Sequence, residues 1–305
     1  MSTSTQAKTR RKRTIINGQA PPHPVARALK GVAIFAICAV IVAPFVGIFA
    51  TSVAPSAQVA AAGGFVFWPE SFDLSAYRSI LGGGVVSRAV QVSVFITVVG
   101  TALALTTTAL LAYALARPGM PARSACLMLL LMSLLFSPGM IPLYLAVKDF
   151  RLLDTIWALI IPTALSGFNV IIMRSFFMGL PQELFDAALI DGAGEWAVFR
   201  RIVLPLSKAI LAVIGLFYAV GYWNSFFGAL LYIRDSSLWP LQLVLRTYVV
   251  NNTPLGGDDL AVDVVPAQET VQMAVLVISI VPILVVYPFL QKHFAKGVLT
   301  GAVKG

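Results

Sequence analysis

Residues 178–206 read MGLPQELFDAALIDGAGEWAVFRRIVLPL, a stretch rich in charge and turn residues between two apolar blocks at about 155 to 175 and 207 to 231. Pro181 suits the first turn of a helix, Glu183 and Asp186 complement that helix's positive end, and Gly192 suits its C-terminal stop. The spacing predicts a short helix over 181–190, with Leu184, Phe185, Ala188 and Leu189 on one face and the acids on the other flank. A second helical segment is expected from Gly194 to about Ile202, ending before Pro205. Helix, turn, helix between two apolar blocks either lies flat on lipid or docks into a groove of a partner protein. A lipid-surface helix normally carries Lys and Arg on its polar face. The segment 181–190 has neither, which favours docking.

Outward from this loop the chain is strongly apolar: 58% of its 305 residues are hydrophobic and 11% charged. Soluble domains carry charge on about a quarter of their residues, so this surface could not be wetted by water. Six blocks, at about 31 to 53, 89 to 116, 124 to 147, 155 to 175, 207 to 231 and 271 to 290, are long enough to cross a bilayer as helices. In lipid the backbone must satisfy its own hydrogen bonds, so an all-α membrane protein follows. The first block is longer than the apolar region of a secretory signal and is expected to be an uncleaved span. Of the net charge of +9, seven basic residues (Lys8, Arg10, Arg11, Lys12, Arg13, Arg27 and Lys30) precede that block. A juxtamembrane basic tail explains this charge better than nucleic-acid binding does. Cys38 and Cys126 both lie within apolar blocks, where a thiol behaves as a small hydrophobe and no metal cage is indicated.

Placing the N-terminus in the cytoplasm collects sixteen Lys and Arg on that side and six on the other, so both termini are expected to be cytoplasmic. The loops at about 54 to 88 and 232 to 270 are then external, and 178–206 is the long cytoplasmic loop. Ser137, Pro138, Gly139 and Pro142 interrupt the third block, Pro162 and Gly167 the fourth, and Pro282 and Pro288 the sixth. Each marks either a moving or pore-lining segment or a static kink.

Asp186-Ala187-Ala188, then Gly192, then Ile202, Leu204 and Pro205 resemble the EAA signature of ABC importer permeases, EAA-x3-G-x9-I-x-LP, with Asp186 replacing the usual Glu. The substitution keeps the carboxylate. The stretches 153–177, 214–245 and 301–305 are also similar to carbohydrate-type permeases, particularly maltose-type second permease subunits and oligosaccharide or polysaccharide permeases. The resemblance implies a six-helix, type I importer permease with a coupling helix in the loop 178–206. It further implies a second permease subunit, a dimer of ABC ATPase subunits that bind the ATP and Mg, and an external solute-binding protein that delivers a sugar. Coupling to the ATPase would fall to Glu183, Asp186, Ala187, Ala188, Gly192, Ile202, Leu204 and Pro205, in a prokaryotic plasma (inner) membrane protein. A basic tail (1–30), a permease domain (31–291) and a short C-terminal tail (292–305) are expected.

A sugar offers hydroxyls and C–H faces, so a pathway lined by polar and aromatic groups is expected from Asn169, Tyr218, Tyr222, Trp223 and Asn224. For the two amides, interhelical hydrogen bonding is the alternative. The only histidines, His23 and His293, lie in the tails, and no Gly-Lys pair offers a phosphate-cradling loop. The chain is therefore expected to be non-catalytic and without cofactor. An ion-coupled carrier or channel is the rival reading, but such proteins place charge within their spans, and these spans are essentially uncharged away from their ends. A peptide, a polyol or a lipid precursor remains open as substrate.

Overall fold

A computed structural model describes residues 24–251 and 267–302, with side chains described for 25–251 and 267–288. The basic residues before Pro24 and the acids Asp258, Asp259 and Asp263 lie outside the described residues. The elements are α1 (Pro24–Ser52), the short α2 (Ser56–Ala61) and α3 (Ser75–Leu81), α4 (Gly84–Ala116), α5 (Arg123–Leu135) and α6 (Met140–Asp149). They continue with α7 (Trp157–Ile160), α8 (Gly167–Met178), α9 (Gln182–Ile190), α10 (Glu195–Leu206), α11 (Lys208–Trp223), α12 (Phe227–Tyr232), α13 (Leu241–Val250) and α14 (Gln268–Ala302).

Among the described residues, α1, α4 and the first part of α14 are each long and apolar enough to cross a membrane. Two further apolar stretches are bent: α7 meets α8 at 50° and α10 meets α11 at 83°. The third block, expected as one span from 124 to 147, is two helices. Gly139 adopts φ +84° between them, a conformation suited to glycine, and Pro138 beside it has no N–H to continue a helix. The fourth block is broken where Pro162 sits in a 3₁₀ turn and Ser166 caps α8 by accepting from the Asn169 N–H at 3.5 Å. Pro282 and Pro288, by contrast, lie inside α14 without ending it. The expected tail boundaries at 30 and 292 both fall inside helices, since α1 is already formed at Pro24 and α14 extends to Ala302.

The centre of the bundle is α4, which packs on α11 and α8, while α14 packs on α1 and α11. α4 and α11 approach closely at Gly100, where the buried Tyr222 ring occupies the space a side chain would fill. Tyr222 is fixed there because its hydroxyl donates to the Ile160 carbonyl at 3.1 Å. One residue on, the Trp223 indole donates to the Ser279 carbonyl at 3.0 Å and ties α11 to α14. A Cβ at residue 100 would lie 2.8 Å from the tyrosine ring, inside van der Waals contact. Gly100→Val is therefore expected to cost about 1–3 kcal/mol through overpacking. Thermal unfolding of the purified protein checks this: a melting temperature lowered by several degrees is expected, and an unchanged one would show that Tyr222 moves aside freely.

Candidate functional site: the α9–α10 loop

The helix predicted over 181–190 forms as α9, with Pro181 just outside its first turn. Its C-terminus is closed by a paired cap, in which the Ala193 N–H donates to the Ala188 carbonyl (2.9 Å) and the Gly192 N–H to the Leu189 carbonyl (3.0 Å). Gly192 adopts φ +74° to allow this, the left-handed conformation that glycine reaches without a Cβ penalty. The predicted apolar face is narrower than expected. Phe185 and Ala188 are buried in the core, whereas Leu184 and Leu189 are exposed and Ile190 is 88% exposed. Ala188 thus packs within the core of this chain. Glu183, Asp186, Ala187 and Gly192 lie on the outside, with Asp186 accepting from the Gln182 side-chain amide at 3.4 Å.

The second helix departs from expectation. Instead of ending before Pro205 it runs from Glu195 to Leu206, because residues 199–203 widen into a π turn ahead of the proline. Pro205 lacks the N–H that an α-helix would require, and the wider turn absorbs the interruption. Phe199 and Val203 face the core, Ile202 and Leu204 are half-buried, and Pro205, Arg200 and Arg201 are exposed.

A cluster not apparent from the sequence holds both helices to the bundle. The Arg117 guanidinium, just past α4, donates to Glu195 Oε1 at 2.9 Å, and the Tyr113 hydroxyl donates to Glu195 Oε2. The same guanidinium lies 5.0 Å from the centre of the Phe185 ring of α9. Tyr113 in turn packs on Phe199 of α10, with ring centroids 5.0 Å apart. One arginine therefore bridges the end of α4, the inner face of α9 and the start of α10. The tyrosine hydrogen bond, then the Arg117 contacts, hold the Glu195 carboxyl below its usual value of 4.5, against the opposing effect of partial burial.

The expected sugar-contact residues occupy different environments. Tyr218 is buried, its hydroxyl 2.7 Å from Thr108 Oγ1, and it accepts from the Ser166 N–H at 3.0 Å. Tyr222 and Trp223 are committed to the helix contacts already described. Asn169 is buried, while Asn224 is exposed and donates to the Val220 carbonyl at 2.8 Å. A groove of about 150 Å³ is lined by Thr163, Phe217, Tyr218, Gly221, Tyr222 and Ser225, so only Tyr218 and Tyr222 of the expected set reach it. Phe217 and Gly221 join them four residues apart on α11, a spacing present in the sequence, and Ser225 lies just past the helix end.

Residues 109–300, which include α9, α10 and the cluster around Arg117, match the binding-protein-dependent transport system inner membrane component family. The chain belongs to this family. It is 51% identical over 269 residues to protein LplC of Bacillus subtilis (strain 168), covering 88% of this chain and 90% of that one. It is 44% identical over 266 residues to the polygalacturonan/rhamnogalacturonan transport system permease protein YtcP of the same organism, covering 87% and 93%. A chain in the crystal structure of a bacterial ABC transporter involved in the import of the acidic polysaccharide alginate superposes with a TM-score of 0.81 at 31% identity. That match covers 88% of this permease and 96% of its counterpart.

Two expectations follow. Tyr218→Phe leaves the Ser166 N–H without its acceptor and should lower stability by about 1–3 kcal/mol; a drop in uptake with unchanged unfolding would instead assign the hydroxyl to substrate. The carboxyl of Glu195 has a lowered pKa in the folded state, so its stabilising contribution is present above pH 4.5 and is lost as pH falls through the depressed value. Glu195 is largely exposed, which limits the contribution to about 1 kcal/mol or less. Melting curves over this acid range should show a steeper loss for wild type than for Glu195→Gln.

Proposed function

We propose that this chain is the transmembrane permease subunit of an ATP-driven, binding-protein-dependent importer whose substrate is a carbohydrate, an oligosaccharide or a polysaccharide fragment. The observation that carries the proposal is α9. Its inner face, Phe185 and Ala188, is locked to the bundle, while Glu183, Leu184, Asp186 and Ala187 project outward from a rigidly capped helix. A helix held this way can transmit displacement: movement of a groove gripping the outer face is carried through Arg117 to α4 and through α10 to α11. Family membership supports such a partner, and the polysaccharide systems to which YtcP and the alginate importer belong support the substrate class.

In this reading two permease subunits form the pathway, the partner ATPase dimer binds ATP with Mg and performs hydrolysis, and an external binding protein supplies the sugar. The protein is a multi-pass component of a prokaryotic inner membrane with both termini and α9 in the cytoplasm. The spans are α1, α4, α5 with α6, α7 with α8, α11 with α12, and α14. The exposed acids Glu183 and Asp186 would meet basic groups of the ATPase groove.

The test is a pull-down of detergent-solubilised wild-type protein beside Gly192→Pro. Proline cannot adopt the φ +74° of Gly192. Recovery of a second permease and an ATPase with wild type, and loss of the ATPase alone with the variant, is the expected result. Recovery of neither with wild type under gentle conditions would overturn the proposal and favour an ion-coupled carrier.

A further inference from the structure

The end of the bundle that bears α9 holds more positive charge than the Arg117 contacts neutralise. A cavity of about 240 Å³ lies between the end of α4, the start of α5, the end of α8 and the start of α9. Arg117 and Arg123 line one part of it, Gln182 adds an amide, and Phe177, Met178 and Leu180 form an apolar part. Arg123 Nε is shielded from solvent and has no hydrogen-bond partner among the described residues. Arg174 lies on α8, whose end borders the cavity, and its Nε is spent on the Leu115 carbonyl at 3.0 Å. Of the nearby carboxylates, Glu195 is more than half exposed and already engaged by Arg117 and Tyr113, and Asp186 accepts from the Gln182 amide.

A shielded guanidinium N–H without an acceptor is destabilising, and repulsion from the second guanidinium lining the cavity, that of Arg117, adds to that. An anion with several acceptor oxygens would relieve both costs. The arginine fork matches phosphate in particular, because two parallel N–H groups meet two oxygens. Arg123 also opens α5, whose N-cap Ala122 supplies no side-chain acceptor, so the positive end of that helix adds to the same field. The apolar part, with Met178 exposed at its edge, suits a phosphate that continues into a less polar group.

We propose that this cavity is a phosphate-binding site, taking either the phosphate of an anionic phospholipid headgroup or a free phosphate, and that occupancy braces α9 against α4 and α5. The bound oxygens would give Arg123 Nε its acceptor and hold it beside Arg117. Displacements of α9 would then pass to the bundle with less slack when the site is filled. The inference goes beyond the importer assignment, and binding can be measured whether or not the chain transports anything.

The test uses the full-length protein with whatever co-purifies, in discs of phosphatidylcholine with or without phosphatidylglycerol. Native mass spectrometry reads retained phosphatidylglycerol. In pure phosphatidylcholine discs, inorganic phosphate is titrated while the melting temperature is followed. Wild type should retain the anionic lipid, or be stabilised by inorganic phosphate; the first result assigns a lipid source and the second a soluble one. Arg123→Gln should weaken that response about tenfold, the loss of one charge-assisted hydrogen bond. Arg201→Gln, which removes an exposed cation on α10, should leave it intact. Equal responses in wild type and Arg123→Gln, or equal losses in both variants, would overturn the site in favour of diffuse attraction to positive charge. Should Arg123→Gln not fold, Arg123→Lys keeps the charge but not the fork, and unchanged binding in that variant would be equally decisive against the proposal.

Discussion

The contact of α4 with α11 sets the spacing of the rest of the bundle. Gly100 has no side chain, so the Tyr222 ring lies directly on the α4 backbone, and the ring is held by its hydroxyl bond to Ile160. Along the same interface Tyr218 reaches Thr108 of α4 and the Ser166 N–H at the break before α8. The tyrosines of α11 therefore provide polar partners to helix segments whose own ladders are interrupted, a need that becomes acute where water is scarce. The apolar remainder of each ring fills space between helices. Both functions bury these residues, which is why their presence in a span did not by itself mark a substrate path.

Further along α4, five residues past Thr108, the same helix carries Tyr113, and just beyond its end lies Arg117. These two side chains convert the end of a central span into a seat for α9 and α10. The seat combines a carboxylate accepting from two donors with an arginine lying over a phenylalanine ring. It leaves α9 with one face committed and one face free. The chain then bends by 83° between α10 and α11. Mechanical continuity from the outer face of α9 to the tyrosine interface runs through these few contacts, and the cavity lined by Arg117 and Arg123 borders the same seat.

Much of this architecture was legible in the chain. Block length and the scarcity of charge required apolar helices, and the α9 cap was readable because the Gly192 position demands a backbone conformation that few residues accept. The signature running from Asp186 to Pro205 placed the loop within a family to which the chain belongs. Helix continuity was less legible. Pro138 and Pro162 fall at breaks, whereas Pro205, Pro282 and Pro288 are carried within helices, and nothing local separates the two groups. What decides is whether neighbouring groups or a widened turn, as at 199–203, can absorb a missing hydrogen bond.

By itself the sequence determined the properties that depend on short separations and on composition: helical class, the membrane as solvent, the α9 cap and the acids on its outer flank. The tertiary structure alone decided which apolar residues of α9 turn inward, that Tyr222 seats on Gly100, and that Arg117 meets Glu195 across 78 residues of chain. Those pairings depend on distances between segments far apart in sequence. A helical period specifies a face, but only the packed neighbour specifies what that face meets.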